Sequence, residues 1–165
     1  MFEQGNVVSG QVTLDLCGFR FPSEQLRLAR LQMAYTHAGG VGVSNEVVRY
    51  KRHGARQAFE EIQFAAAHCP RGPVSGPVRG VGPITYRLTR VTDRRLLPAH
   101  VALLIHVVGT AAKRHIDVRV LAVYQIRGDF LSGVYTDGTG SVISQRGVGL
   151  HAAEESAKNL KQLVP

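Results

Sequence analysis

Along residues 55–69 the small and apolar positions are Ala55, Ala58, Phe59, Ile62, Ala65, Ala66 and Cys69. They recur at three- and four-residue intervals, the stripe of an amphipathic helix. The spacing predicts a helix over residues 55–69, stopped by Pro70, which cannot continue the hydrogen-bond ladder. Phe64 falls opposite the stripe, so either another element covers it or it is an exposed contact. A second helix follows from LHAAEESAKNLKQLV, with Leu150, Ala153, Ala157, Leu160 and Val164 on one stripe. Its acids come early and its lysines late, which suits the helix dipole.

Elsewhere the period is two. Residues 7–16 alternate, with Val8, Val12, Leu14 and Leu16 inward. A turn at residues 22–25 leads to a strand carrying Leu31, Met33 and Tyr35, and residues 46–51 form another. Residues 70–83, with four prolines and four glycines, read as a crossing loop. ITYRLTRVT then alternates from Ile84. VALLIHVVG is apolar on both faces, which predicts a central strand covered on both sides. IDVRVLAVYQI places Ile116, Val118, Val120, Ala122, Tyr124 and Ile126 on one face, with Leu121 and Val123 on the other. Gly128 and Asp129 turn into FLSGVYT, a hairpin signal.

Two helices with one apolar stripe each need a sheet to bury against. The expectation is an α+β fold: a mostly antiparallel sheet of six or seven strands with two packed helices, an α/β sandwich. The predicted order is β-β-β-α-β-β-β-β-α, in a single domain over residues 1–165, with loop 70–83 connecting its halves.

The two cysteines leave two readings open. A pair of buried, reduced thiols is ordinary in a cytosolic protein. Yet Cys17 and Cys69 each end a predicted element and precede Gly or Pro, where a bridge could tie the N-terminal arm to the helix. Such a disulfide would contribute about 4 kcal/mol by loop entropy and points to an oxidising compartment. No CxxC spacing occurs. The first residues, MFEQGNVVSG, lack the basic and apolar regions of a signal peptide, so a leader or anchor would lie outside this sequence. The longest apolar run is too short to span a bilayer.

A net charge of +8 suggests an anionic partner. Against nucleic acid, the 16 arginines and 4 lysines are scattered, tyrosines are sparse and tryptophan is absent. Catalytic chemistry is not legible either. There is no GxSxG elbow and no Walker lysine in the glycine-rich loops. The few adjacent acids lie on the helices, where they are expected to point to solvent. His115 and Asp117, two apart on a strand face, read as a solvated pair rather than metal ligands, and His106 as a satisfied core histidine. No enzyme activity, metal or cofactor is expected.

The Cys17 arm, the EVVRYKRHGARQAFEEIQFAAAHCP block, the RGDFLSGVY hairpin and the AAEESAKNLKQL helix together resemble the PknH-like extracellular sensor domains. These are secreted, lipoprotein-like or receptor-kinase modules of high-GC Gram-positive bacteria. The resemblance spans nearly the whole chain and rests on pattern and spacing. It implies an α/β sandwich, stabilising disulfides and a cleft suspected of binding an unidentified ligand. The kinase form is associated with two disulfides, and here only Cys17 and Cys69 are available. The expectation is therefore a non-catalytic, extracellular or surface-anchored sensor or ligand-binding module for a small or anionic envelope-derived ligand. Arg87, Arg119, Tyr86, Tyr124 and His106 are its candidate contacts. The alternatives are a structural or protein-interaction domain of the envelope, and a cytosolic enzyme or nucleic-acid binder with free thiols.

Overall fold

The computed structural model describes residues 6–7, 13–37, 41–75, 81–111, 114–138 and 142–164. Seven strands form one sheet: β1 (Asn6–Val7), β2 (Arg27–His37), β3 (Val41–Tyr50), β4 (Val81–Val91), β5 (His100–Ala111), β6 (Arg114–Arg127) and β7 (Phe130–Gly138). Their spatial order is β1-β2-β3-β7-β6-β5-β4, and every pairing is antiparallel. The helices are α1 (Gly54–Ala67), between β3 and β4, and α2 (Val142–Leu163), after β7. The predicted class and element order are both observed.

The helices sit on opposite faces. Side chains alternate across the sheet, and the register places Val48, Leu131, Ala122 and Leu103 on one face. These residues pack with Ala55, Ala58, Phe59, Ile62 and Ala65 of α1. Val43, Val134, Leu121, Val123 and Ala102 face the other way and pack with Leu150, Ala152 and Ala153 of α2. Helix α2 begins eight residues before the predicted stripe. Gly147 and Gly149 weakened that signal, but Gly149 is required by contact: a Cβ there would lie 2.6 Å from Thr136 Cγ2 and 2.7 Å from Leu121 Cδ2.

Helix α1 ends at Ala67, two residues earlier than expected, because the residue before a proline avoids helical backbone. Cys69 is therefore past the helix and only half-buried rather than on its stripe. It bonds to Cys17, with Cα atoms 5.4 Å apart, and the chain holds no free cysteine. The reading with free thiols is excluded.

The predicted strand over residues 7–16 is replaced by the two-residue β1 and an irregular arm from Thr13. Val8 and Val12 lie outside the described residues; Leu14 and Leu16 are buried as expected. The arm's amides are taken by a side chain instead of a ladder: Thr13 N and Leu14 N donate to the Glu24 carboxylate at 2.9 and 3.2 Å. Cys17 and Gly18, both at positive φ, then make a tight turn closed by Phe19 N on Leu16 O at 3.1 Å.

Three further expectations are corrected. Glu61 does not point to solvent: it accepts hydrogen bonds from Ser23 Oγ at 2.6 Å and Ser23 N at 3.2 Å, tying α1 to the short 3-10 turn Pro22–Leu26. Strand β5 is not central but second from the edge, next to β4. Only its first half, around Val101–Leu103, is buried on both faces. The β5–β6 hairpin runs past both helices, so its far end is partly exposed. Loop 70–83 is likewise shorter than expected, because β4 starts at Val81 and Val74 bridges Ile84. As an edge strand, β4 tolerates Pro83.

Candidate ligand cleft

On the α1 side, the protruding ends of β4, β5 and β6 carry an apolar face that no helix covers among the described residues. Strand β6 supplies Ile116, Val118, Val120, Ala122 and Tyr124, the alternating set read from the sequence. Opposite them in register, β5 adds Ile105 and Val107, and β4 adds Ile84 and Tyr86. Tyr135 of β7 closes the inner end, and Asp15 of the arm stands at the mouth. Together they enclose about 340 Å³, at the small end of the range for small-molecule sites. Val118 is 46% exposed, a large apolar side chain left open to water.

The inner end is aromatic. Tyr124 and Tyr135 meet edge to face with ring centroids 5.7 Å apart. Gly133, two residues before Tyr135 on the same face, makes room for it: a Cβ there would lie 2.5 Å from the Tyr135 hydroxyl. That hydroxyl is buried beside Tyr124. Burial pushes the Tyr124 and Tyr135 hydroxyls above the ordinary phenol range. Tyr86 is pushed up to about 12, by burial first and the nearby Asp15 charge second. All three stay neutral at physiological pH. Partial burial also raises the Asp15 carboxyl above its ordinary value.

Behind the tyrosines, between β2 and β3, lies a buried ion pair that sequence reasoning missed. Arg30 Nε donates to Glu46 Oε1, with both side chains almost fully enclosed. Arg30 Nη2 also reaches Gln32 Oε1 at 2.9 Å, and Gln32 Nε2 reaches Ser44 Oγ at 2.8 Å. Alternating polar residues on two strands were the available signal, but they look the same on a solvated face.

The five candidate contacts separate. Tyr86 and Tyr124 line the cleft. Arg87, His106 and Arg119 are register partners across β4, β5 and β6 on the opposite face, beyond the α2 core. His106 is half-buried, not deep in the core, and its Nε2 lies 2.8 Å from Asp117 Oδ1, so it is satisfied as expected. Arg87 also borders a second hollow of about 380 Å³ with Tyr86, Leu88 and Arg71, beside the end of α1.

A larger concavity, about 720 Å³, is bordered by Thr92, Asp93, Arg94, Arg95 and His100. Its chemistry is already committed. Arg95 binds Asp93 at 2.7 Å and Glu154 at 3.3 Å, and holds the Asp93 carboxyl well below the usual carboxylate range. Among the described residues no three His, Cys, Asp or Glu side chains are placed to share a metal ion, and no helix is long and apolar enough to cross a membrane.

No family model matches the chain, and no curated protein matches it. Among solved structures, it is similar to the extracellular domain of PknH from Mycobacterium tuberculosis, at 12% identity and a TM-score of 0.47. The match covers 80% of this chain and 66% of that one, a distant structural likeness. Function therefore has to be read from this chain's own residues.

Proposed function

We propose that the protein is a non-catalytic, extracytoplasmic ligand-binding module of the sensor type, holding a small, largely apolar molecule in the β4–β6 cleft. One observation carries this reading. Ten of the eleven residues lining a 340 Å³ hollow are aliphatic or aromatic, on strands whose ends no helix covers. Apolar surface left open in this way marks an interaction site more often than a folding defect. The disulfide supports an oxidising compartment, where such bonds persist. The absence of catalysis is supported by the cleft's chemistry: phenols and one carboxylate face it, while His106 and Asp117 lie on the other side of the sheet. The test is fluorescence titration with the neutral apolar probe N-phenyl-1-naphthylamine. The protein should bind it saturably, one to one, and Val118→Trp, which fills the cleft from an exposed position, should abolish binding. Unchanged binding by that variant overturns the assignment.

A second reading, a structural or protein-interaction module, is favoured by a separate feature. Phe64 is 55% exposed, stacked on His68 with centroids 4.1 Å apart and edged by Phe19 at 5.7 Å. If that cluster is the working surface, Phe64→Ser will remove partner capture while leaving probe binding in the cleft intact.

A further inference from the structure

We propose that the cleft selects a ligand carrying a positive charge, an alkylammonium or amine on a compact apolar body. The inference rests on the cleft reading above and names the chemistry the cleft would recognise. Its starting point is a mismatch of charge. Basic residues outnumber acidic ones 20 to 12 in this chain, yet none of the eleven cleft residues is basic. The one charged group there is Asp15, and it makes no ion pair or hydrogen bond among the described residues. It shares the lining with three tyrosines, and its charge is felt at the Tyr86 and Tyr124 hydroxyls.

Three kinds of occupant meet this wall differently. An anion would face Asp15 with phenol hydroxyls as its donors and no arginine to neutralise it. A neutral apolar molecule would fill the hollow and make no use of the Asp15 charge at its mouth. A cation answers both features at once. It pairs with the carboxylate, and it lies against tyrosine rings whose faces are electron-rich. Because burial keeps the three phenols neutral, they contribute ring faces and hydroxyls rather than further charge.

The protein's overall charge of +8 works against a cation, but at longer range. Exposed charges more than about 10 Å away are largely screened at 0.1 M salt. A carboxylate at the mouth of the cleft, in direct contact with the ligand, is screened far less. The local term sets affinity, and the distant term slows association.

The experiment is calorimetric titration with three probes of equal chain length: octyltrimethylammonium, octanol and octanoate. The expected order runs from the ammonium, tightest, to octanoate, weakest. The ammonium should bind about tenfold more tightly than octanol, the sum of a modest cation–π and a partly exposed ion-pair contribution. In Asp15→Asn that ratio should fall to about one. Octanoate binding as tightly as the ammonium, or a ratio that survives Asp15→Asn, overturns the inference. Octanol binding with no preference for the ammonium sinks the inference and leaves the apolar cleft standing. Failure of all three probes removes the cleft reading and this inference with it.

Discussion

Removing the Cys17–Cys69 bridge should destabilise the protein by an amount set mainly by the unfolded chain. The two cysteines are 52 residues apart in sequence. A cross-link closing a loop of that length removes about 4 kcal/mol of unfolded-state entropy. The double variant Cys17→Ala, Cys69→Ala leaves no polar group where Cys17 is buried among core side chains, so little other cost is expected. For a chain of this size, 1 kcal/mol moves Tm by about 2–4 °C, giving a fall of about 8–16 °C. Thermal melting of the wild type, the wild type in reductant, and the variant tests this, and the last two should coincide. Urea titration adds a sharper criterion. Loss of the cross-link expands the unfolded state, so the denaturant slope should rise as the midpoint falls. A third variant separates local strain from the cross-link. Cys17 holds a φ of 59°, where glycine is favoured, so Cys17→Gly with Cys69→Ala should recover about 1 kcal/mol over the double alanine. A Tm drop below about 3 °C, or an unchanged slope, would refute the unfolded-state argument.

Three further outcomes follow from single side chains. The Tyr50 hydroxyl is fully buried with no hydrogen-bond partner among the described residues, so Tyr50→Phe should stabilise the protein by about 1 kcal/mol in urea titration; a loss of stability would show that the hydroxyl is solvated. Glu46→Gln leaves Arg30 charged and enclosed in the core, and should cost about 3 kcal/mol, whereas Arg30→Met with Glu46→Leu should recover much of that. If the double substitution is no better than the single, the pair is contributing net stability. The Asp15 carboxyl has a folded pKa raised above its unfolded value. Its ionisation therefore opposes folding: the penalty is absent below the unfolded pKa, grows between the two values, and is complete above the folded one. Asp15→Asn should melt higher than the wild type at pH 7 and match it at about pH 3, where both forms are uncharged; the reverse dependence would mean that Asp15 has a cationic partner in the folded protein.

Strand identity was readable where the pattern was dictated by burial on two different faces. The alternation from Ile116 to Ile126 predicted one face of β6, and Leu121 with Val123 predicted the contact with α2. The arm was not readable, although its leucines were. Leu14 and Leu16 are buried in both a strand and an irregular arm, and the difference lies in Glu24, whose carboxylate takes the amides a neighbouring strand would have taken. Glu61 misled for a related reason. A helical acid beside the apolar stripe is usually solvated, but Ser23, 38 residues away, supplies two donors to it.

The cleft was half-readable, and the missing half is the informative one. Period-two alternation tells which residues share a face; it carries no information about what lies over that face. Val118 and Ala122 belong to the same apolar row of β6, yet Ala122 is fully buried in the α1 core while Val118 is nearly half exposed. The difference depends on where α1 stops and how far the β5–β6 hairpin extends beyond it. Register has the same character. Arg87, His106 and Arg119 became neighbours, and Tyr86 and Tyr124 parted from them, through pairings set between strands. Asp15 was hidden more completely still. In QVTLDL it occupies an outward position, indistinguishable from any solvated acid. Only the replacement of the expected strand by an irregular arm carries it to the mouth of an apolar hollow, where a single carboxylate decides the sign of the charge that can enter.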